Sequence, residues 1–171
     1  FDSSPKYKPL IGTDTREIMR RINATAYVRI PFSIKDSSNY KKLELFMKHD
    51  DGFIAYINGK KVAEKNAPPN PSWDSTATTS SGEADVNEFE VYDISSHLNQ
   101  LRNGSNVLAI HGMNGSVGSS DFLIVPELYA GIPNSNGSNE PRIDFGTIEF
   151  NPESHDQDEE FIELNNPNNF A

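Results

Sequence analysis

The stretch that decides the fold is Phe53-Ile-Ala-Tyr-Ile-Asn-Gly-Lys-Lys-Val-Ala63. Five apolar residues run up to Asn58-Gly59, and residues 60–63 turn back. Asn-Gly between apolar runs is the strongest short-range hairpin signal, because a type I′ turn needs positive φ at both central residues. The two arms are therefore antiparallel strands. A strand alternates its side chains, so Phe53, Ala55 and Ile57 share one face while Ile54 and Tyr56 share the other. One of these two sets is core.

The same period of two recurs outward from the hairpin. In Ala26-Tyr-Val-Arg-Ile-Pro-Phe-Ser-Ile34, Tyr27 and Arg29 oppose Val28, Ile30 and Phe32. Pro31 points to an edge position or a bulge, since it cannot donate to a ladder. Strands are also predicted at 43–47, 88–92, 106–111 and 121–125, the last extendable through Leu128 and Tyr129. The alternation nominates Ile30, Phe32, Leu45, Val107, Ala109, Phe122 and Ile124 as core. Only two helical patterns appear. Residues 13–22 have Thr13 or Asp14 as cap and Ile18, Met19 and Ile22 as apolar positions. Residues 93–101 read as a short turn or 3₁₀ segment with Ile94, Leu98 and Leu101 inward. This pattern predicts an all-β jelly roll or β-sandwich with one or two short helices.

Composition narrows the function. The 171 residues carry a net charge of -10. That argues against nucleic acid, whose backbone needs clustered cations, and against an anionic lipid surface. No apolar run approaches the ~20 residues of a membrane span. Cysteine is absent, which excludes disulfides and thiolate chemistry and is compatible with a secreted bacterial protein. The chain holds 18 Asn and 18 Ser beside 11 Gly and 11 Pro, the composition of many turns and long surface loops. The acidity is uneven: residues 142–171 hold eight acids against one cation, Arg142. The Gly/Pro/Asn/Ser-rich segment 131–141 precedes that shift and reads as a linker.

Four stretches in order resemble the galactose-binding-like jelly-roll family. They are His49-Asp-Asp-Gly-Phe-Ile-Ala-Tyr-Ile-Asn-Gly-Lys-Lys-Val62, Tyr92-Asp-Ile-Ser95, Leu101-Arg-Asn-Gly-Ser-Asn-Val-Leu-Ala-Ile-His111 and Ser119-Ser-Asp-Phe122. The order is similar to that of the sugar-binding domains of family 2 glycoside hydrolases. With Asn66-Ala-Pro68, Trp73, Ser75 and Ala77 it is closer still to accessory domains of large secreted bacterial proteins. The resemblance implies a galactose-binding-like domain over residues 1–130, extracellular or at a bacterial cell surface. In that family a further strand usually precedes the region matching Phe1, so an open sheet edge and strand-mediated self-association are expected. Residues 142–171 resemble instead the opening two strands of a bacterial lamin-tail domain, which is immunoglobulin-like and would be incomplete here.

Candidate site residues follow, several with two readings. Asp50 and Asp51 before Gly52 form either a calcium or sugar-hydroxyl site or simply a turn. As neighbours in a strand they point to opposite faces, so they are not a catalytic pair. The resemblance implies a structural calcium at Asp121 and Glu127; otherwise Asp121 caps its own loop and Glu127 lies exposed. Trp73, the one tryptophan, either stacks on a sugar ring or plugs the end of the sandwich. Asn70 and Asp74 flank it, and Asp51 and Asn114 complete the candidate ligand set. His49, His97, His111 and His155 show no metal-ligand spacing. The expectation is a non-catalytic module that binds polysaccharide for a larger protein. The alternative is a structural spacer or protein-interaction domain of a surface adhesin or filament.

Overall fold

The structure is a computed structural model that describes residues 1, 8–80, 88–132, 144–148 and 162–165, the last two segments by their strand pairing only. Nine strands follow in chain order. They are β1 (Thr25–Ile34), β2 (Lys42–Asp50), β3 (Gly52–Ile57), β4 (Lys60–Lys65), β5 (Glu90–Asp93), β6 (Gly104–Met113), β7 (Leu123–Gly131), β8 (Asp144–Ile148) and β9 (Ile162–Asn165). The first seven build two antiparallel sheets, β1-β6-β3-β4 and β5-β2-β7. Only the β3–β4 connection stays within one sheet; every other link among these strands crosses between the two. The architecture is an all-β sandwich. β8 and β9 pair with each other, Asp144 opposite Asn165 and Phe145 opposite Leu164. The predicted linker and the remaining tail, including the acids at 156–160, lie outside the described residues.

The hairpin reading holds at atomic detail. Asn58 and Gly59 both have positive φ, 50° and 84°, as a type I′ turn requires. Asn58 also ties the turn to its surroundings. Its Nδ2 donates to the Gln100 carbonyl (2.7 Å) and to Asn106 Oδ1 (2.8 Å), and its Oδ1 accepts from Val107 N (2.9 Å). Asn106 is buried, and its Nδ2 donates to the carbonyls of Arg102 and Gly104 while its Oδ1 accepts from Arg102 N. A buried amide is tolerated because its donors and acceptor are met.

Phe53, Ala55 and Ile57 are the core set of β3; with Ile30, Ile34, Leu108 and Ile110 they face Leu43, Leu45, Met47, Leu128 and Ala130. Phe32 and Ile124 pack against this core as expected, and Phe122 is buried with Phe1 and Met19 in a second cluster. Val107 and Ala109 depart from expectation. On β6 it is Leu108 and Ile110 that enter the core, which turns Val107, Ala109 and His111 to the other face. The predicted helix over 13–22 is a single turn, α1 (Arg16–Met19); its N-cap is Thr15 rather than Thr13 or Asp14, though Asp14 Oδ1 accepts from Arg16 N at 2.9 Å. Ile18 and Ile22 are 66% and 61% exposed, so only Met19 anchors it, and a helix with no apolar stripe to bury is not extended. Residues Ser95–Gln100 form the expected 3₁₀ segment, with Ile94 and Leu101 buried at its ends.

Three of the four edge strands of these two sheets carry proline or lysine, and β5 carries neither. β1 is an edge strand and carries Pro31, β7 carries Pro126, and β4 carries Lys60, Lys61 and Lys65. Prolines and lysines on edges discourage pairing with another chain.

Candidate functional site

Ladder registers determine what the outer face of the four-stranded sheet presents. Across β1, β6 and β3 one row reads Arg29, Ala109, Tyr56, and the next reads Tyr27, His111, Ile54. In the first row a small residue stands between two large ones, which leaves a trough. In the second, the Tyr27 and His111 rings stack with centroids 4.5 Å apart and planes 18° from parallel.

The loop after β4 builds the wall. Residues 66–80 fold onto the face and bury Ala77 against Ile54 and Met113. Gly52 lies directly beneath: a Cβ there would come within 3.0 Å of Ala77 Cβ and of the Lys65 carbonyl, so the loop's close approach requires glycine. Ala77 N donates to the Asn114 carbonyl (2.9 Å) and Thr78 N to the Asn66 carbonyl (2.8 Å). The tip is ordered by its own polar groups, with Ser72 N donating to Ser75 Oγ at 2.8 Å and Ser72 Oγ to Asp74 Oδ1 at 2.7 Å. Two hydroxyls of β1 hold it from below. Tyr27 Oη donates to the Trp73 carbonyl at 2.9 Å, and Thr25 Oγ1 donates to the same oxygen at 3.2 Å. Burial, Tyr56 and Asp74 push the Tyr27 phenol up, which keeps it protonated and a donor.

The result is a groove of about 700 Å³ between the Trp73 loop and the Asn58-Gly59 turn. Its floor is Tyr27, Arg29, Tyr56, Val107, Ala109 and His111, with Pro71, Ser72 and Trp73 on one side and Arg102 at the far end. Trp73 is 71% exposed, so the plug reading is overturned; the residue that packs under the loop is Ala77. The four rings of Tyr27, Tyr56, Trp73 and His111 and a groove of this size suit a flat ligand with one apolar face.

The sequence-nominated residues divide. Trp73 lines the groove, and Asn70 and Asp74 belong to the same exposed loop. Asp51 and Asn114 are instead buried supports of that loop. Asp51 Oδ2 accepts from Gly115 N (2.7 Å) and its carbonyl from Asn66 Nδ2 (2.9 Å). Asn114 is 1% exposed, and its N donates to the Ala24 carbonyl. Tyr27, Arg29, Tyr56, Arg102 and His111 were not nominated. The signal for them was present in strand parity: Tyr27 and Arg29 oppose the core residues of β1, and His111 follows Val107 and Ala109 at a spacing of two.

The acids expected to hold calcium do not fit one ion. Asp50 is opposite Leu123, whereas Glu127 is opposite Phe46, four residues further and about 13 Å along the ladder. Asp121 Oδ1 accepts from Ser119 Oγ, and a Glu127 oxygen accepts from Tyr129 Oη. Among the described residues, no group of three His, Asp or Glu side chains could hold a metal. Among them, too, no helix is long and apolar enough to cross a membrane.

No family model and no curated protein matches the chain. Similar solved structures include an α-L-rhamnosidase from Streptomyces avermitilis complexed with L-rhamnose, at 17% identity and a TM-score of 0.46 over 64% of this chain and 9% of that one. An α-L-rhamnosidase from Aspergillus terreus is similar at 16% identity and a TM-score of 0.40, over 73% of this chain and 16% of that one. A β-D-mannosidase from Dictyoglomus thermophilum is similar at 17% identity and a TM-score of 0.35, over 53% and 9%. In each case the chain corresponds to a small part of a long glycosidase polypeptide.

Proposed function

We propose that this chain is a non-catalytic carbohydrate-binding module of a larger secreted bacterial protein, and that it holds that protein at polysaccharide. The observation that carries the reading is the exposed Trp73 indole beside the Tyr27–His111 stack, on a loop whose backbone is already fixed. Aromatic planes match the apolar faces of pyranose rings, and an ordered loop loses little entropy on binding. Among the described residues, no Asp or Glu lines the groove. Glycoside hydrolysis uses a pair of carboxylates, so the lining binds sugar without the groups that would cleave it.

Affinity electrophoresis against a polysaccharide panel tests this reading. Retardation by at least one polysaccharide is expected, together with its loss in Trp73→Ala and in Ala109→Phe, which fills the trough. Circular dichroism and melting curves should show both variants folded. A folded Trp73→Ala protein with undiminished retardation would place the ligand elsewhere. The alternative, a protein-interaction or spacer domain, draws on the outer face of the other sheet, where Val91 is 52% exposed near an aromatic cluster. It expects no retardation by any polysaccharide.

A further inference from the structure

Among the described residues, the groove holds two cations and no acid, in a chain whose net charge is -10. Arg29 stands on the floor beside Ala109, and Arg102 closes the far end. Both side chains are exposed, and among the described residues neither has an ion pair or a side-chain hydrogen bond. Asp74 is near enough to act on Tyr27, yet its carboxylate takes the Ser72 hydroxyl and pairs with neither arginine.

The remaining polar groups of the lining are uneven in kind. The Asn58 amide is consumed on both sides by Gln100, Asn106 and Val107, and the Ser72 hydroxyl by Asp74 and Ser75. What remains without a partner is the two guanidiniums, the indole N–H of Trp73, the Tyr56 hydroxyl and the buried His111 Nε2. A neutral sugar presents hydroxyls that both donate and accept, and a site for it would keep acceptors free. Apart from the buried His111 Nε2 and the Tyr56 oxygen, the open side-chain groups here are all donors. Arginine is also the side chain whose planar fork matches a carboxylate with two parallel hydrogen bonds. Two unpaired guanidiniums locally reverse the field of an acidic protein.

We infer that the glycan of this groove is an acidic one, its uronate carboxylates held by Arg29 and Arg102 while Trp73 and the Tyr27–His111 pair meet the ring faces. The inference rests on the carbohydrate reading above and adds the charge of the ligand to it.

The test is affinity electrophoresis in gels of polygalacturonate, alginate or glucuronoxylan, each run beside its carboxyl-reduced counterpart and a neutral galactan. Retardation by at least one uronan is expected, with a dissociation constant at least tenfold higher on the reduced polymer. Arg29→Gln and Arg102→Gln should each weaken binding at least fivefold with an unchanged melting temperature. Arg29→Lys, which keeps charge but loses the fork, should recover only part, and added NaCl should weaken the uronan complex. Equal retardation by a uronan and its reduced form, or by the galactan alone, would overturn the acidic ligand and leave the glycan reading standing. Retardation by none of the polymers would remove both.

Discussion

On the outer face of the three-stranded sheet, Phe46 lies against Tyr129 and Phe89, with centroids 4.5 and 6.1 Å away. Lys48 sits 4.7 Å over the Phe89 ring, and Tyr129 gives its hydroxyl hydrogen to Glu127. On the outer face of the four-stranded sheet the Tyr56 hydroxyl and the Trp73 indole keep their hydrogens unassigned, and among the described residues Arg29 and Arg102 pair with no acid. Both faces are aromatic, but the first satisfies its rings and polar tips with one another. On the second, Tyr27 stacks on His111 and gives its hydroxyl hydrogen to the Trp73 carbonyl, while the Tyr56 and Trp73 donors stay open. Aromatic content alone therefore says little about binding; the unspent hydrogen-bonding groups around the rings distinguish the two faces.

The largest effect should come from the core that supports both faces. Phe53 is fully buried, and its ring meets Tyr92 edge-on with centroids 5.4 Å apart. Phe53→Ala should cost about 3–5 kcal/mol. Urea unfolding followed by Trp73 fluorescence and by far-UV circular dichroism should give coincident transitions, because a single sandwich lies under both faces. An earlier transition of the fluorescence alone would separate the groove from the rest.

Next comes a crossed pair of substitutions. Trp73→Ala should lower glycan affinity by about 1–3 kcal/mol, roughly five- to 150-fold, at constant melting temperature. Phe46→Ala should do the reverse, losing about 1–2 kcal/mol of stability with binding unchanged. If both changes affect both properties, the faces are coupled and the comparison fails.

A smaller effect should appear with pH. Burial holds His111 below the ordinary histidine range, and it does the same for His49 against the opposing pull of Glu90. A histidine whose folded pKa is depressed favours the unfolded state when protonated, so its contribution is present above pH ~6.5 and is lost as pH falls through the folded value. The melting temperature should therefore fall between pH 7 and 5, and His111→Gln should flatten part of that slope. A slope unchanged in the variant would mean that His111 does not titrate in this window.

The smallest expected effect is that of a chelator. EDTA should leave the melting temperature unchanged, since the candidate acids converge on no common centre. A fall of several degrees would reveal a calcium site.

Much of the sandwich was legible in the sequence because one face of each strand is apolar and the other is not. The Asn58-Gly59 turn and the two faces of β1 follow from that rule directly. It failed on Val-Leu-Ala-Ile-His, residues 107–111, where both faces are apolar. One face is core and the other is the groove floor, and period two cannot tell them apart. The site was half legible for the same reason. Trp73 stood out as a loop aromatic, whereas its floor was hidden inside strands that read as core. Asp51 and Asn114 looked like ligand groups because Asp and Asn recur at sites, but here they support the loop from within. The order of strands in the two sheets depends on contacts distant in sequence and had no local signature.

Thr25 and Tyr27 grip the loop through the main-chain oxygen of residue 73 and leave its side chain uninvolved. Any amino acid placed at that position would be presented in the same way, so the scaffold and its reading head are separable. A library randomised at 73, with 29 and 102 varied beside it, would sample new ligand preferences while the fold stays constant. Selection, natural or in the laboratory, could retarget such a module one residue at a time.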